Sequence, residues 1–228
     1  MSEIKGKFVE LNAADDHRYQ AYHVEAGGEH GRRGGLVVVQ EIFGVNSHVR
    51  SVADGFAAQG YEVYAPAVFD RVERHVELGY TDKDIERGFA LKEKCDMTGV
   101  LLDVQAPIAT MRPEGTVGIV GYCWGGLISW MAACRTIGLS GAVCYYGGGI
   151  AQNLAHKPRC PVLMHFGSRD KHISAADVDA VRAAQPGVEV RVYDADHGFN
   201  CDQRGSYDAP SAKQALERTL AFFRAHVG

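Results

Sequence analysis

The chain has 228 residues, of which 46% are apolar and 23% charged, and its formal net charge is −4. This composition is typical of a globular domain, and the absence of a dense basic block argues against nucleic acid or a membrane surface as a partner. No apolar run reaches the length of a membrane span, and the first residues form no apolar signal core. A cytoplasmic protein is therefore expected.

The six cysteines form no C-x-x-C pair and no regular framework, which indicates reduced thiols rather than a set of disulfides. The ten histidines are scattered, and neither an H-E-x-x-H motif nor a zinc-type spacing occurs. No G-x-G-x-x-G motif opens the first crossover helix. The sequence therefore predicts neither a metal site nor a cofactor.

The first half of the chain begins with alternating apolar and polar residues at 7–12 and 18–24, which predict an antiparallel hairpin. After a glycine-rich loop at 26–35, the β-branched run at 36–39 is typical of a strand buried on both faces of a parallel sheet. Asn46 or Ser47 is expected to cap a helix that ends near 59. A strand at 61–65 follows, and a long helical region from Thr81 or Asp82 to about 111 is expected to break at Gly99.

The second half continues this alternation of strands and helices. Strands are predicted at 116–120, 140–146, 161–166 and 188–193, and helices at 126–133, 175–184 and 210–226. No linker or repeat interrupts the pattern. We therefore predict one α/β domain over 1–228, with a doubly wound, mostly parallel sheet, helices on both faces and an N-terminal hairpin. The excursion at 67–95 is the expected lid or pocket wall.

The segment Gly121-Tyr122-Cys123-Trp124-Gly125 follows an apolar strand and opens a helix at once. This is the G-x-S-x-G nucleophile elbow with cysteine in place of serine. Such a turn presents one side chain at the top of a sheet and at the amino end of a helix, where a thiolate is favoured. A purely structural or phosphate-binding glycine turn is the alternative interpretation.

Polar residues follow four of the predicted strands, and ligands of open parallel sheets bind at these carboxyl ends. The residues are Glu41, Cys123, Asp170 and His197. The order nucleophile, acid, histidine is that of the α/β-hydrolases. We therefore predict that His197 activates the thiol and that Asp170 orients the imidazole.

Other histidines and acids compete for these two roles. The alternative histidines are His165 and His172, and the alternative acids are Asp194 and Asp196. An oxyanion also needs two converging N–H groups, which we assign to the backbone of Trp124 and of Ile42.

These segments together resemble the dienelactone hydrolase family over nearly the whole chain. The resemblance is carried by the segments 40–46 and 121–126, by Tyr145-Tyr146-Gly147, by Gly167 with Asp170, and by His197-Gly198-Phe199. It implies an α/β-hydrolase fold, a cofactor-free hydrolase with the triad Cys123, His197 and Asp170, and a monomer, with a dimer left open. It also implies that Glu41 holds the resting thiol as a neutral donor until substrate binds.

The type activity of that family opens a small lactone that carries a carboxylate, which two arginines bind. At the matching positions this chain has Ile85 and Cys201. The substrate contacts that the resemblance suggests are Phe43, Phe89, Tyr145, Arg87 and Arg204. The predicted function is cysteine-dependent hydrolysis of small esters or lactones. The alternatives are a promiscuous carboxylesterase, thioesterase or phosphotriesterase with the same triad, and a non-catalytic thiol sensor on the same fold.

Overall fold

Eight strands form one sheet in the computed structural model, which describes residues 4–27 and 31–228. Residues 28–30 of the predicted glycine-rich loop lie outside this description. The strands are β1 (Lys7–Asn12), β2 (Arg18–Val24), β3 (Gly34–Val39), β4 (Tyr61–Pro66), β5 (Val117–Tyr122), β6 (Leu139–Tyr145), β7 (Val162–Gly167) and β8 (Glu189–Tyr193).

The strand order is β1-β2-β4-β3-β5-β6-β7-β8. β1 pairs with β2 and β2 with β4 in antiparallel fashion, whereas the pairs from β4 through to β8 are parallel. The predicted fold class, with its N-terminal hairpin and mostly parallel sheet, is confirmed. Every residue of β3, β5 and β7 is buried, as expected for strands covered on both faces.

Six helices flank this sheet in the described ranges. They are α1 (Ser47–Ala58), α2 (Asp82–Lys94), α3 (Met97–Met111), α4 (Trp124–Arg135), α5 (Ala175–Ala184) and α6 (Ala209–His226). Helices α1 and α6 meet through Phe56 and Phe223, whose ring centroids are 6.0 Å apart, and α3 packs against α4. In the part of the chain that the structure describes, no helix has the length and apolar character that crossing a bilayer requires.

The long helical region at 82–111 is interrupted at Cys95 and Asp96, not at Gly99 as predicted. The Asp96 side chain accepts a hydrogen bond of 3.0 Å from the Gly99 amide and so caps α3. Gly99 therefore lies inside the first turn of α3. A Cβ atom there would come within 2.9 Å of Arg71, so the glycine makes room for that side chain. The other predicted ends differ from the structure by only one or two residues.

The turn from β5 into α4 brings the backbone of three elements unusually close together. A Cβ at Gly121 would overlap the carbonyl oxygen of Gly125, and a Cβ at Gly125 would overlap that of Val39 in β3. Between them Cys123 has φ 55° and ψ −114°, a strained conformation for a residue with a side chain. Two glycines therefore allow the close approach that holds Cys123 in this conformation.

The Gly121→Ala variant should be destabilised by about 2 kcal/mol or more, because its methyl group has no space beside Gly125. Gly55→Ala is the matched control. It lies within α1 and a Cβ there meets no atom within 4 Å, so we expect a gain of about 0.5–1 kcal/mol. Urea unfolding measures both free energies. Equal effects of the two substitutions would contradict this account of the turn.

Candidate active site

Cys123 occupies the N-cap position of α4, directly after β5. Its amide donates a 3.0 Å hydrogen bond to the carbonyl oxygen of Tyr145, and its own carbonyl accepts one of 3.0 Å from Gly126. These bonds fix the backbone on both sides of the side chain. The half-buried thiol lies at the amino end of the helix, where the helix dipole favours negative charge.

His197 and Asp170 meet next to this thiol. His197 Nδ1 lies 2.8 Å from Asp170 Oδ2, and the Cys123 thiol is a further hydrogen-bond partner of the His197 ring. The other oxygen of Asp170 accepts hydrogen bonds from the amides of His172 (2.8 Å) and Ile173 (3.2 Å). Because both carboxylate oxygens are bound, the ring of His197 has a fixed orientation that leaves Nε2 for the thiol.

The charge of His197 depends on these two partners. Burial lowers the pKa of His197, but the negative charge of Cys123 and the hydrogen bond that the ring donates to Asp170 outweigh it and raise that pKa to about 10. The imidazolium form is therefore stabilised when the thiol has lost its proton.

Three of the competing residues named from the sequence occupy other environments, whereas the ring centroid of His172 lies 5.0 Å from that of His197 in the wall of the same cavity. His165 is a core residue whose Nδ1 lies 2.8 Å from the Tyr193 hydroxyl, and burial lowers its pKa to about 3. The Asp194 carboxylate is exposed and pairs with Arg169, whereas Asp196 accepts a 2.7 Å hydrogen bond from the backbone amide of His197. In this structure only Asp170 contacts the imidazole ring of His197 through a carboxylate, among the described residues.

The two predicted oxyanion donors come from different elements of the fold. Trp124 is the first residue of α4, so its N–H has no acceptor within the helix. Ile42 lies in the turn after β3, and α2 is packed so closely there that a Cβ at Gly88 would overlap the Ile42 carbonyl oxygen. Both residues line the same cavity as Cys123.

Glu41 is 1% exposed and is bound by a cation rather than by the thiol. Arg204 Nη1 donates to Glu41 Oε1 at 3.2 Å, whereas Glu41 Oε2 has no hydrogen-bond partner. The Arg204 guanidinium also lies 5.6 Å from the ring centroid of Phe43. Gly198, at φ 78°, makes room for Arg204, because a Cβ there would lie 2.5 Å from its Nη1 atom.

A cavity of about 190 Å³ opens onto these groups. Its walls are Ile42, Phe43, Ile85, Phe89, Lys92, Cys123, Trp124, Gly148, His172, His197 and Arg204. Three of these residues come from α2, so the excursion at 67–95 forms one wall. A larger cavity of about 400 Å³ lies between α1 and α6 and contains none of the triad residues.

Two residues expected from the sequence to contact substrate lie elsewhere. Arg87 pairs with Glu73 at the exposed surface and is not among the residues that line the cavity. Tyr145 is fully buried, and its hydroxyl shares a 2.7 Å hydrogen bond with that of Thr219. Phe43, Phe89 and Arg204 do line the cavity.

Sequence reasoning missed Lys92 and Tyr146. Lys92 is the second cation of the cavity wall, and the spacing of Ile85, Phe89 and Lys92 is that of one helix face, which is a signal that could have found it. Tyr146 has φ 35°, and its ring centroid lies 5.1 Å from that of His197. No pattern in the sequence indicates the change of backbone direction between Tyr145 and Tyr146.

A mostly parallel sheet of this order, with a nucleophile elbow and with an acid and a histidine after later strands, defines an α/β-hydrolase fold. The chain belongs to the dienelactone hydrolase family, whose family model matches residues 19–227. It is therefore a hydrolase that acts on ester or lactone bonds.

Individual relatives support this assignment. A protein of Synechocystis sp. named "Putative carboxymethylenebutenolidase" is 35% identical over 210 residues, which cover 83% of this chain and 85% of that protein. A protein of the same name from Escherichia coli K12 is 32% identical over 228 residues, which cover 91% of this chain and 83% of that protein.

Solved structures show the same architecture. The crystal structure of a putative dienelactone hydrolase from Klebsiella pneumoniae superposes with a TM-score of 0.83 at 29% identity, and the superposition covers 96% of this chain and 98% of that one. The structure of a dienelactone hydrolase-like promiscuous phosphotriesterase from metagenomic libraries superposes with a TM-score of 0.75 at 22% identity, and covers 98% of this chain and 100% of that one. The second likeness shows the shared fold alone.

Replacing Asp170 with asparagine should lower the pKa of His197, because an amide stabilises the imidazolium less than a carboxylate does. In the wild type, the pKa of His197 in the folded state lies above the ordinary histidine value of 6.5, so the stability that protonation contributes is complete below about pH 6.5. It is lost as the pH rises towards about 10. In Asp170→Asn the loss should occur at lower pH, which an NMR titration of the His197 ring measures.

Asp194→Asn is the control for this titration, since that exposed carboxylate pairs with Arg169 rather than with the imidazole. The His197 titration in this variant should match the wild type. An unchanged pKa in Asp170→Asn would contradict the proposed electrostatic coupling.

Proposed function

We propose that the protein hydrolyses small esters or lactones through a thioester formed on Cys123. The observation that carries this proposal is the chain of contacts from Asp170 through the His197 ring to the thiol at the helix amino end. Such a chain supplies a nucleophile, a base and a group that orients the base, which is what covalent acyl transfer requires.

In the first half of the reaction, Nε2 of His197 takes the thiol proton and the sulfur attacks the carbonyl carbon. The resulting oxyanion accepts hydrogen bonds from the N–H groups of Trp124 and Ile42. The oxyanion then collapses to a thioester, the carbon–oxygen bond breaks, and the imidazolium protonates the leaving oxygen. In a lactone this oxygen stays attached to the acyl group.

In the second half, His197 takes a proton from water, and the hydroxide attacks the thioester carbon. The carbon–sulfur bond breaks, the acid leaves, and the imidazolium returns its proton to the sulfur. Each turnover consumes one ester bond and one water, and needs no redox partner. The His197–Asp170 contact serves both halves, because the imidazolium forms twice.

Glu41 has a proposed role in the resting enzyme. We suggest that its carboxylate exchanges Arg204 for the thiol, which it then keeps neutral until a substrate enters. The orphaned oxygen Oε2 supports this exchange, since a buried carboxylate oxygen without a partner favours movement to a donor. A neutral resting thiol resists oxidation better than a thiolate does.

The substrate class follows from the cavity wall. Its volume is small, its walls are mainly apolar, and among the described residues its lining includes two cationic side chains, Lys92 and Arg204, and no carboxylate. Since Arg204 is paired with Glu41, Lys92 is the cation available to an anionic substituent. We propose a small ester or lactone that carries a carboxylate.

Cys123→Ala should abolish hydrolysis of p-nitrophenyl acetate and leave the unfolding free energy nearly unchanged, because the thiol is the attacking atom. The control is Cys160→Ala, which removes another partly buried thiol that is not among the residues lining the cavity. Steady-state rates and urea unfolding measure both properties. Retained activity in Cys123→Ala would contradict the proposal. A stable adduct on Cys123 of the wild-type protein, formed without turnover, would favour the thiol sensor instead.

Lys92→Ala should raise KM about tenfold for a lactone that bears a carboxylate and leave KM for a neutral lactone unchanged, because one charge-assisted contact is lost. The control is Lys94→Ala, on the exposed side of the same helix turn. A panel of lactones, thioesters and phosphotriesters ranks the alternative activities. Equal effects on charged and neutral lactones would contradict the role of Lys92.

A further inference from the structure

The segment after the catalytic histidine is joined to the first turn of α1 by two side-chain contacts. His48 Nδ1 lies 3.1 Å from Asp202 Oδ1, and the Ser47 hydroxyl donates a 3.0 Å hydrogen bond to Gln203 Oε1. Cys201, between Asn200 and Asp202, is fully buried beside them. The fold thus brings together side chains that are more than 150 positions apart in the sequence.

Three potential metal ligands converge at this junction. A ring nitrogen of His48, the Cys201 sulfur and a carboxylate oxygen of Asp202 all lie within 4.8 Å of one another. The His48 side chain is only 5% exposed, and its Nε2 atom is buried without a hydrogen-bond partner. Buried polar atoms are rarely left without a partner, so the binding capacity of the His48 ring is not fully used by the contacts of this structure.

We propose that His48, Cys201 and Asp202 bind one zinc ion, with water completing its coordination. Imidazole nitrogen, thiolate sulfur and carboxylate oxygen are the ligand types that Zn²⁺ takes in proteins. Tetrahedral coordination at the usual bond lengths places such donor atoms about 3.3–3.7 Å apart. The His48 and Asp202 atoms are already 3.1 Å apart, so it is the widest separation in the cluster that must shrink by about 1 Å. The side chain of Asp202 is 63% exposed and has room to move towards the buried sulfur.

Zinc must displace a proton from the Cys201 sulfur. Burial, together with the nearby Glu41 carboxylate, raises the pKa of the Cys201 thiol to about 11. A bound dication reverses that effect, because its charge stabilises the thiolate, so binding should release one proton and strengthen with pH. The larger cavity between α1 and α6 has two of the three proposed ligands, His48 and Asp202, in its walls.

The proposed ion has a structural consequence for the active site. Cys201 hydrogen-bonds to the Tyr80 hydroxyl, and the Arg204 guanidinium lies 5.9 Å from the Tyr80 ring centroid. The Arg204 amide also donates a 3.1 Å hydrogen bond to the Cys201 carbonyl oxygen. Zinc at Cys201 would therefore fasten the segment that carries Arg204 to α1.

The test uses Co²⁺ as a spectroscopic substitute for Zn²⁺ in the full-length Cys123→Ala protein, which lacks the active-site thiol. We expect one equivalent of Co²⁺ to produce a thiolate-to-cobalt charge-transfer band in the near ultraviolet, and Zn²⁺ to displace it. Adding Cys201→Ser should remove the band. Adding His48→Gln or Asp202→Asn should weaken the affinity about tenfold or more.

Cys160→Ser is the matched control in the same background, because the pKa of that partly buried thiol is also raised to about 11 but it lies outside the cluster. This variant should keep the band. Zn²⁺ should also raise the midpoint of thermal unfolding in the Cys123→Ala protein and not in its Cys201→Ser derivative.

Absence of the band in Cys123→Ala, or its persistence without Cys201, would overturn the proposal. If Cys201→Ser does not fold, the His48→Gln and Asp202→Asn variants decide the question, and unchanged affinity in both would overturn the proposal as well.

Discussion

The close contact between β3, β5 and the start of α4 is the constraint on which the rest of the site depends. Without side chains at Gly121 and Gly125, the backbones approach to a distance that no Cβ would permit. This approach forces Cys123 to positive φ, directs its thiol into the cavity and leaves the Trp124 amide free at the helix end. The positions of the proposed nucleophile and of one proposed oxyanion donor therefore have a single structural cause.

The parallel register of the sheet then brings the remaining groups to the same edge. β3 pairs with β5 so that Val39 lies opposite Gly121, which places the segment after β3 beside the elbow. Asp170 follows β7 and His197 follows β8, and the two strands are neighbours. Buried charges at this edge are paired: Arg204 with Glu41, and His197 with Asp170. Such pairing is what makes their burial tolerable.

The fold class could be predicted from the sequence because the patterns that mark buried strands, helix caps and glycine turns each span only a few residues. The elbow, and the positions of Cys123, Asp170 and His197 after their strands, could be predicted for the same reason. The predicted break at Gly99 is wrong because the capping side chain of Asp96, and not the glycine, determines where α3 begins. The preceding helix α2 ends just before Asp96, whose side chain accepts a hydrogen bond from an amide in the first turn of α3.

The cavity wall was harder to predict, since it depends on helix rotation and packing. At 100° per residue, Arg87 lies 200° from Ile85, so it faces away from the cavity wall that Ile85, Phe89 and Lys92 share. Which of Tyr145 and Tyr146 lies beside His197 depends on the backbone conformation at Tyr146, where φ is 35°. No local sequence pattern predicts that conformation. The contact of His48 with Asp202 is likewise a product of the tertiary fold alone.

Covalent catalysis by Cys123 is the central claim, and a quenched reaction analysed by intact-protein and peptide mass spectrometry tests it most directly. Rapid acid quenching of the enzyme with p-nitrophenyl acetate should reveal an added acetyl group, located on the peptide that contains Cys123. The adduct should appear during the first turnover and decay as substrate is exhausted. Full turnover with no acyl group on Cys123 at any time would contradict the account.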